Sequence, residues 1–176
     1  MTEDAPLWVF GYGSLMWRPG FAHEACEPAL LRGYHRAFCV YSVHHRGTAA
    51  RPGLVLGLDR GGSCRGRAYR VAARDAEAVI AYLDEREQVT AVYLRRRVTI
   101  EIGHRRVAAM AYVADRAHAQ YAGKLPLHRV AEIILGGHGV SGANPDYLAN
   151  TVAHLDELGI NDGPLHELLE MVRAGG

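Results

Sequence analysis

Residues 7–17, with the sequence LWVFGYGSLMW, join a short apolar strand to a glycine-bracketed turn. Backbone N–H groups in such a turn can point together at a carboxylate, or at an oxyanion that forms during a reaction. Gly11 and Gly13 favour this arrangement, because glycine lets the backbone approach a ligand closely and adopts a positive φ easily. The segment is therefore a candidate ligand-binding loop.

A helix with an acidic end, DAEAVIAYLDERE, is the second feature that could do chemistry. Asp75 is a suitable N-cap for a helix that runs to about Glu87. At 100° per residue, Val79, Ile80 and Leu83 fall on one face, which is expected to be buried. Glu87 lies on the same face, one turn beyond Leu83.

Three acidic residues near the end of this helix are candidates for a catalytic role. Rotation places Glu85 nearly opposite the apolar face and Asp84 at its edge, so only Glu87 is directed along the buried stripe. Burial raises the pKa of a carboxyl group, as a general base working near neutral pH requires. The alternative is that the helix frays at its last residues and Glu87 meets solvent.

Several common catalytic motifs are incomplete in this chain. Met16 stands where a dinucleotide-binding turn needs its third glycine, and Leu125 follows Gly123-Lys124 where a phosphate-binding loop needs serine or threonine. Residues 139–143, GVSGA, lack the final glycine of a nucleophile elbow. These patterns argue against nucleotide cofactors and against a serine hydrolase.

Metal and cofactor sites are not expected either. The ten histidines include the adjacent pair His44 and His45, which would point apart on an extended chain, and no metal-binding motif spans them. The remaining possibility is a reaction in which the substrate carries its own nucleophile. The residues alone do not name that substrate.

Composition indicates a soluble globular protein that acts on a small molecule. Of 176 residues, 49% are hydrophobic and 22% are charged, and the net charge of +1 gives no general attraction to nucleic acid or anionic membranes. The arginine-rich segment YLRRRVTIEIGHRRV is interpreted as a strand pair with solvated faces. An RNA-binding patch is the alternative, but no aromatic residues alternate with the arginines as a base-stacking surface would need.

The expected compartment is the cytoplasm. Three scattered cysteines, Cys26, Cys39 and Cys64, show no pairing pattern and are expected to stay reduced. The first residues, MTEDAPLW, do not resemble a secretory signal, and no apolar run is long enough to span a membrane. The sequence does not predict the oligomeric state.

Strands dominate the first two thirds of the chain and helices the last third. Apolar, β-branched and aromatic runs predict strands over Leu7–Phe10, Tyr34–Val43, Leu54–Asp59, Arg67–Val71, Val92–Glu101 and Arg106–Val113, separated by turns such as DRGGS and EIGHR. Helices are expected at Asp75–Glu87, from Pro126 to Gly136, from Asn144-Pro145 to Gly159, and after Pro164. Asn144 is expected to cap the third of these helices. This order predicts one α+β domain over residues 1–176, with a small closed or strongly curved, barrel-like mixed sheet flanked by helices.

Five segments, VFGYGSLMW, HHRGTAARPGLVLGL, GRAYRV, YLDEREQ and GVSGANPDYLANT, occur in this order over most of the chain. They closely resemble the γ-glutamylcyclotransferase superfamily, in particular its ChaC-like, glutathione-specific branch. The resemblance implies a small closed β-structure with helices around it. It also implies cleavage of γ-glutamyl compounds by intramolecular cyclisation to 5-oxoproline, without a cofactor. For this branch the implied substrate is glutathione and the released product is Cys-Gly.

The resemblance assigns site residues position by position. The catalytic glutamate matches Glu87, and Tyr147 in NPDYL matches a tyrosine near the family's pocket. The glycine loop, which would bind substrate, comprises Phe10, Gly11, Tyr12, Gly13, Ser14 and Leu15.

One departure concerns the leaving group. After Glu87 the chain runs QVTAVY (residues 88–93), where several relatives carry a short glycine turn and a tyrosine. A cyclotransferase for other γ-glutamyl amines or dipeptides is therefore one alternative to glutathione cleavage. A non-catalytic γ-glutamyl-binding module that keeps the glycine loop is a separate alternative.

Overall fold

Residues 5–87 and 92–176 are described by the structure, which is a computed structural model. Contacts divide the chain into two compact units, Met1–Arg36 with Leu58–Asp115, and Ala37–Gly57 with Arg116–Gly176. The single domain over residues 1–176 stays a prediction.

The sheet is a closed five-stranded barrel with the strand order β1-β3-β2-β4-β5. Pairing is antiparallel between β1 and β3, where Leu7 lies opposite Val71, and parallel between β1 and β5, where Val9 lies opposite Met110. The predicted α+β class with a closed mixed sheet is thus confirmed. The strands are β1 (Leu7–Gly11), β2 (Ala25–Ser42), β3 (Gly53–Val71), β4 (Tyr93–Ile102) and β5 (Arg105–Ala114).

Glycines play two different roles in these strands. The β4–β5 hairpin was expected from EIGHR and is confirmed, with Ile102 opposite Arg105 and Gly103 at a φ of +58° in the tight turn. The turn expected at DRGGS is wrong, because β3 continues through Gly61 and Gly62, whose φ values are +101° and +67°. Positive φ at these positions distorts the strand without ending it.

Helix α1 (Ala76–Glu87) ends at the residue predicted from the sequence. The helix begins one residue later than predicted, because Asp75 is the last residue of a 3₁₀ turn, Ala73–Asp75, which stands directly before Ala76. Val79 and Leu83 are buried as expected, whereas Ile80 is half-buried.

The second unit holds three helices among the described residues, α2 (Leu127–Gly136), α3 (Asn144–Glu157) and α4 (Gly163–Gly175). Helix α4 packs against both α2 and α3. A two-stranded sheet, β6 (His138–Gly139) with β7 (Gly142–Ala143), precedes α3.

Asn144 does not have the capping role that its sequence position suggested. Its side chain is fully buried, accepts a hydrogen bond from the Leu54 N–H and donates one to the Leu54 C=O, both at 2.8 Å. Asn144 thus fixes the start of α3 to strand β3. Among the described residues, no helix combines the length and the apolar character needed to cross a membrane.

Candidate active site

A shared apolar cluster brings helix α1 beside the glycine loop. Leu15 of the loop and Val79 and Leu83 of α1 belong to one buried cluster within the first unit. Burying these side chains together is favourable by about 1.5–3 kcal/mol for each large aliphatic residue. Because Glu87 follows Leu83 by one helical turn, the cluster places the end of α1 next to the loop.

Arg86 ties the last turn of α1 to the glycine loop and to the residues just after it. Its Nη2 donates to the Ser14 Oγ at 3.0 Å, and its Nη1 donates to the carbonyls of Arg18 at 2.6 Å and Pro19 at 3.0 Å. Nη1 also lies 3.1 Å from the Tyr82 hydroxyl oxygen. A guanidinium holds such a geometry well, because its donors form a rigid planar fork.

Glu87 is largely shielded from water. Only 17% of its side chain is exposed, although it is the last residue of the helix. Burial raises the pKa of the Glu87 carboxyl, and the charge of Arg86 opposes this shift, since its Nε lies 3.6 Å from the Glu87 Oε1. The carboxyl therefore takes up a proton more readily than an ordinary glutamate does.

The other two acids of this helix end have different surroundings. Asp84 pairs with Arg95 and accepts a hydrogen bond from the Tyr112 hydroxyl at 2.6 Å. Burial, together with the charges of Asp84 and Glu87, raises the pKa of Tyr112, which keeps this hydroxyl protonated. Glu85 is exposed. The rotation inferred from the sequence is thus confirmed in its orientation of all three side chains.

The glycine loop can contact a ligand mainly through backbone N–H groups, because most of its side chains are buried. Phe10, Tyr12 and Leu15 are buried, whereas Ser14 is exposed. Residues Ser14–Met16 form a 3₁₀ turn in which the Met16 N–H bonds to the Gly13 carbonyl at 2.9 Å. The first N–H groups of such a turn have no partner inside it, so the amides of Ser14 and Leu15 are the donors this loop can offer.

The close packing of Leu15 explains why residue 11 of the loop is a glycine. A Cβ on Gly11 would lie 3.1 Å from the Leu15 Cβ, which is tighter than ordinary van der Waals contact. Gly13 has a φ of −132°, so the positive φ considered from the sequence is not used there.

Arg36 and Tyr69 hold the loop carbonyls, and the sequence reasoning missed both residues. Arg36 is 5% exposed and donates from Nε to the Tyr12 carbonyl at 2.6 Å and from Nη2 to the Arg65 carbonyl at 2.7 Å. The Tyr69 hydroxyl lies 2.7 Å from the Leu15 carbonyl oxygen and 3.0 Å from that of Met16. The position of Arg36 directly before the apolar run AFCV was the available signal, since a charge buried in such a strand needs several acceptors.

Tyr147 belongs to the second unit. Its hydroxyl accepts a hydrogen bond from the Leu56 N–H at 3.3 Å, the Arg46 guanidinium lies 5.3 Å from its ring centre, and the Phe38 ring packs edge-on at 5.7 Å. Its role in the site stays a prediction. In segment 88–93, residues 88–91 lie outside the described residues, and Tyr93 begins β4.

A solved structure shares this fold. The γ-glutamyl cyclotransferase specific to glutathione from yeast matches with a TM-score of 0.85 and 25% sequence identity, over 97% of this chain and 97% of its own. The barrel with its added helices is therefore a γ-glutamylcyclotransferase-type fold.

The chain belongs to the ChaC-like protein family, whose model matches residues 7–175. The glutathione-specific γ-glutamylcyclotransferase of Escherichia coli (strain K12) is 36% identical over 173 residues, which cover 97% of this chain and 74% of that protein. The enzyme of the same name from Schizosaccharomyces pombe is 32% identical, over 94% of this chain and 91% of its own. The family predicted from the sequence motifs is confirmed.

Proposed function

We propose that this protein degrades glutathione by intramolecular cyclisation, releasing 5-oxoproline and Cys-Gly, with Glu87 as general acid and base. The observation that carries the proposal is a shielded glutamate of raised pKa, tied through Arg86 to a glycine loop. Relatives in Escherichia coli and Schizosaccharomyces pombe that bear the name glutathione-specific γ-glutamylcyclotransferase support the choice of substrate.

The reaction needs only one proton-transfer group. Glu87 removes a proton from the α-ammonium of the γ-glutamyl residue, and the free amine attacks the γ-carbonyl carbon of the same residue. The new C–N bond closes a five-membered lactam, and the C–N bond to the cysteine nitrogen breaks. Protonated Glu87 then gives its proton to the leaving nitrogen. The ring nitrogen loses a second proton as it becomes the lactam N–H, and this proton also passes to the leaving nitrogen, so that Cys-Gly leaves with an ammonium group and protons balance over the cycle.

The raised pKa of Glu87 suits this sequence of steps. A carboxylate of ordinary pKa is a weak base toward an ammonium group, and burial brings the two groups closer in proton affinity. Both reacting groups belong to one substrate molecule. Holding them in a productive orientation can therefore contribute about 7–11 kcal/mol in the most favourable cases.

The glycine loop would supply fixed donors. Arg36 and Tyr69 hold the carbonyls of Tyr12 and Leu15. The amides of Ser14 and Leu15 would then bind the substrate α-carboxylate, the developing oxyanion, or both. Phe10, Tyr12 and Leu15 would act by supporting this backbone, since their side chains are buried. The substrate-binding role of Tyr147 rests on the family resemblance alone.

The proposed setting is the cytoplasm, with a small-molecule substrate and neither nucleic acid nor membrane as a partner. Three cysteine thiols, at Cys26, Cys39 and Cys64, fit a reducing compartment in which glutathione itself is present.

Product identification tests the function directly. The purified protein is incubated with glutathione, and 5-oxoproline and Cys-Gly are quantified by mass spectrometry over time. Equal amounts of the two products support the proposal. Faster turnover of γ-glutamylalanine than of glutathione, judged by kcat/KM, would assign the protein to cyclotransferases of other leaving groups. Glutathione binding without turnover would make it a binding module.

The pH profile of Arg86 variants tests the electrostatics of the site. Arg86→Gln removes the charge that lowers the pKa of Glu87, so the acid limb of kcat/KM is expected to move to higher pH. Arg86→Lys keeps a positive charge but loses the fork that reaches Ser14, so its acid limb is expected to shift less while kcat falls.

Arg74→Gln is the matched control, since Arg74 is an exposed arginine just before the same helix. An acid limb in Arg86→Gln that coincides with those of Arg74→Gln and the unmodified protein would contradict the electrostatic coupling of Arg86 to the base.

A further inference from the structure

A depression of about 260 Å³ lies on the first unit, beside the point where strand β2 meets β4. The two strands pair there through Leu31, opposite Ile100. Gly33, with a φ of +89°, then bends β2. We call this feature the arginine depression. Its lining residues are Leu31, Arg32, Tyr34, Arg97, Val98, Thr99, Glu101 and Arg106.

The charges of the arginine depression are unbalanced. Three arginines and one glutamate give the described lining a net charge of +2. Arg32 satisfies Glu101 with two hydrogen bonds, from Nε at 2.9 Å and from Nη2 at 3.4 Å. These bonds lower the pKa of Glu101, and the charge of Arg106 acts in the same direction.

Two guanidinium groups remain for a ligand. Within residues 5–87 and 92–176, Arg97 and Arg106 make no ion pair with an acidic side chain, and both are exposed. Arg97 and Thr99 alternate with buried Ile100 and Ile102 along β4, so they face outward from the barrel. Tyr34 and Thr99 add hydroxyl groups to the lining.

We propose that the arginine depression binds a compact phosphate monoester. A phosphate monoester approaches two negative charges near neutral pH, which matches the excess charge of the lining. Guanidinium forks bind phosphate oxygens in pairs, and hydroxyl groups complete such sites. The volume is slightly below that of typical sites for drug-sized ligands, which favours a small ligand. The eight described lining residues all differ from the glycine loop and from Arg86 and Glu87, so this site is independent of the proposed cyclisation.

Calorimetric titration at constant ionic strength tests the proposal, with inorganic phosphate and glycerol 3-phosphate as probes. The unmodified protein is expected to bind glycerol 3-phosphate. Arg97→Gln and Arg106→Gln are each expected to weaken that binding by about tenfold or more, since each removes charge-assisted hydrogen bonds. Arg96→Gln is the matched control, because Arg96 is an exposed neighbour in β4 outside the lining, and it is expected to bind normally.

Several results would overturn the proposal. No binding to the unmodified protein would exclude the site, and equal affinities in all three variants would place the phosphate elsewhere. Stronger binding of single-stranded RNA, lost to the same extent in Arg96→Gln as in Arg97→Gln, would show a diffuse basic surface for polynucleotides. Thermal melting of each variant confirms that the fold is retained, and these surface substitutions are expected to leave Tm nearly unchanged.

Discussion

Glu87→Gln is expected to lower kcat for glutathione cyclisation by about 10²–10⁴-fold, the usual contribution of a positioned general acid and base. Glutamine has nearly the same size and fills the same shielded position, but it cannot take a proton from the substrate ammonium. Glutathione should still bind, because the loop amides and the Arg86 contacts to Ser14 and Pro19 do not depend on the carboxylate. Steady-state kinetics and calorimetry separate the two effects.

Glu85→Gln is the matched control for this experiment. Glu85 lies two residues earlier in α1 and is exposed, so its substitution should leave kcat within a factor of about two. Activity of Glu87→Gln at the level of Glu85→Gln would remove Glu87 from the mechanism. A comparable loss in both variants would point to a general effect on the helix instead of on the proton transfer.

Gly66→Ala is expected to disturb the glycine loop from the neighbouring strand. A Cβ at this position of β3 would clash with the Gly11 carbonyl oxygen and would lie only 2.7 Å from the Phe10 Cζ. The first of these is a backbone atom, so the loop itself must move. Such overpacking typically costs about 1–3 kcal/mol of unfolding free energy, and a displacement near 1 Å at a reacting group can lower the rate about 10²-fold.

Denaturant unfolding and glutathione turnover measure the two consequences of Gly66→Ala. Gly163→Ala serves as the control, because a Cβ on Gly163, at the start of α4, has no atom within 4 Å. We expect this control to keep its stability and activity. A Gly66→Ala protein with unchanged kcat/KM would show that the loop backbone does not need its present position for catalysis.

Local sequence patterns predicted the orientation of Glu87 but not the residues that surround it. The buried side of α1 follows from the spacing of Val79 and Leu83, since helical periodicity is a property of the chain itself. The same rotation selected Glu87 over Glu85. Neither pattern indicates which loop α1 meets, because the Arg86–Ser14 contact joins residues 72 positions apart. The family resemblance supplied that pairing from the motif that contains Phe10 to Leu15.

Long-range hydrogen bonds explain most of what the sequence did not predict. The Arg36 contact to Tyr12 spans 24 positions and the Tyr69 contact to Leu15 spans 54, so no local spacing reports them. Asn144 resembled a helix cap because its local context before a proline is typical of one. Its actual partner, Leu54, lies 90 positions away.

The glycines of β3 show a different limit. Gly61 and Gly62 carry the same local signal whether a strand reverses or only bends. Continuation of β3 to Val71 is decided by its pairing with β1, which begins at Leu7. A sheet partner this distant in sequence overrides the turn preference of the glycine pair.

The shielded position of Glu87 also has a thermodynamic consequence. Because the folded state raises the pKa of this carboxyl above its unfolded value, folding is weakened as pH rises through the interval between the two, and the penalty persists above it. Glu87→Gln should therefore melt at a higher temperature than the unmodified protein at pH 7. The difference in Tm should vanish well below pH 4.5, where the side chain at position 87 is uncharged in both proteins. Conformational stability is thus sacrificed under the very conditions in which the carboxylate is ready to accept a proton.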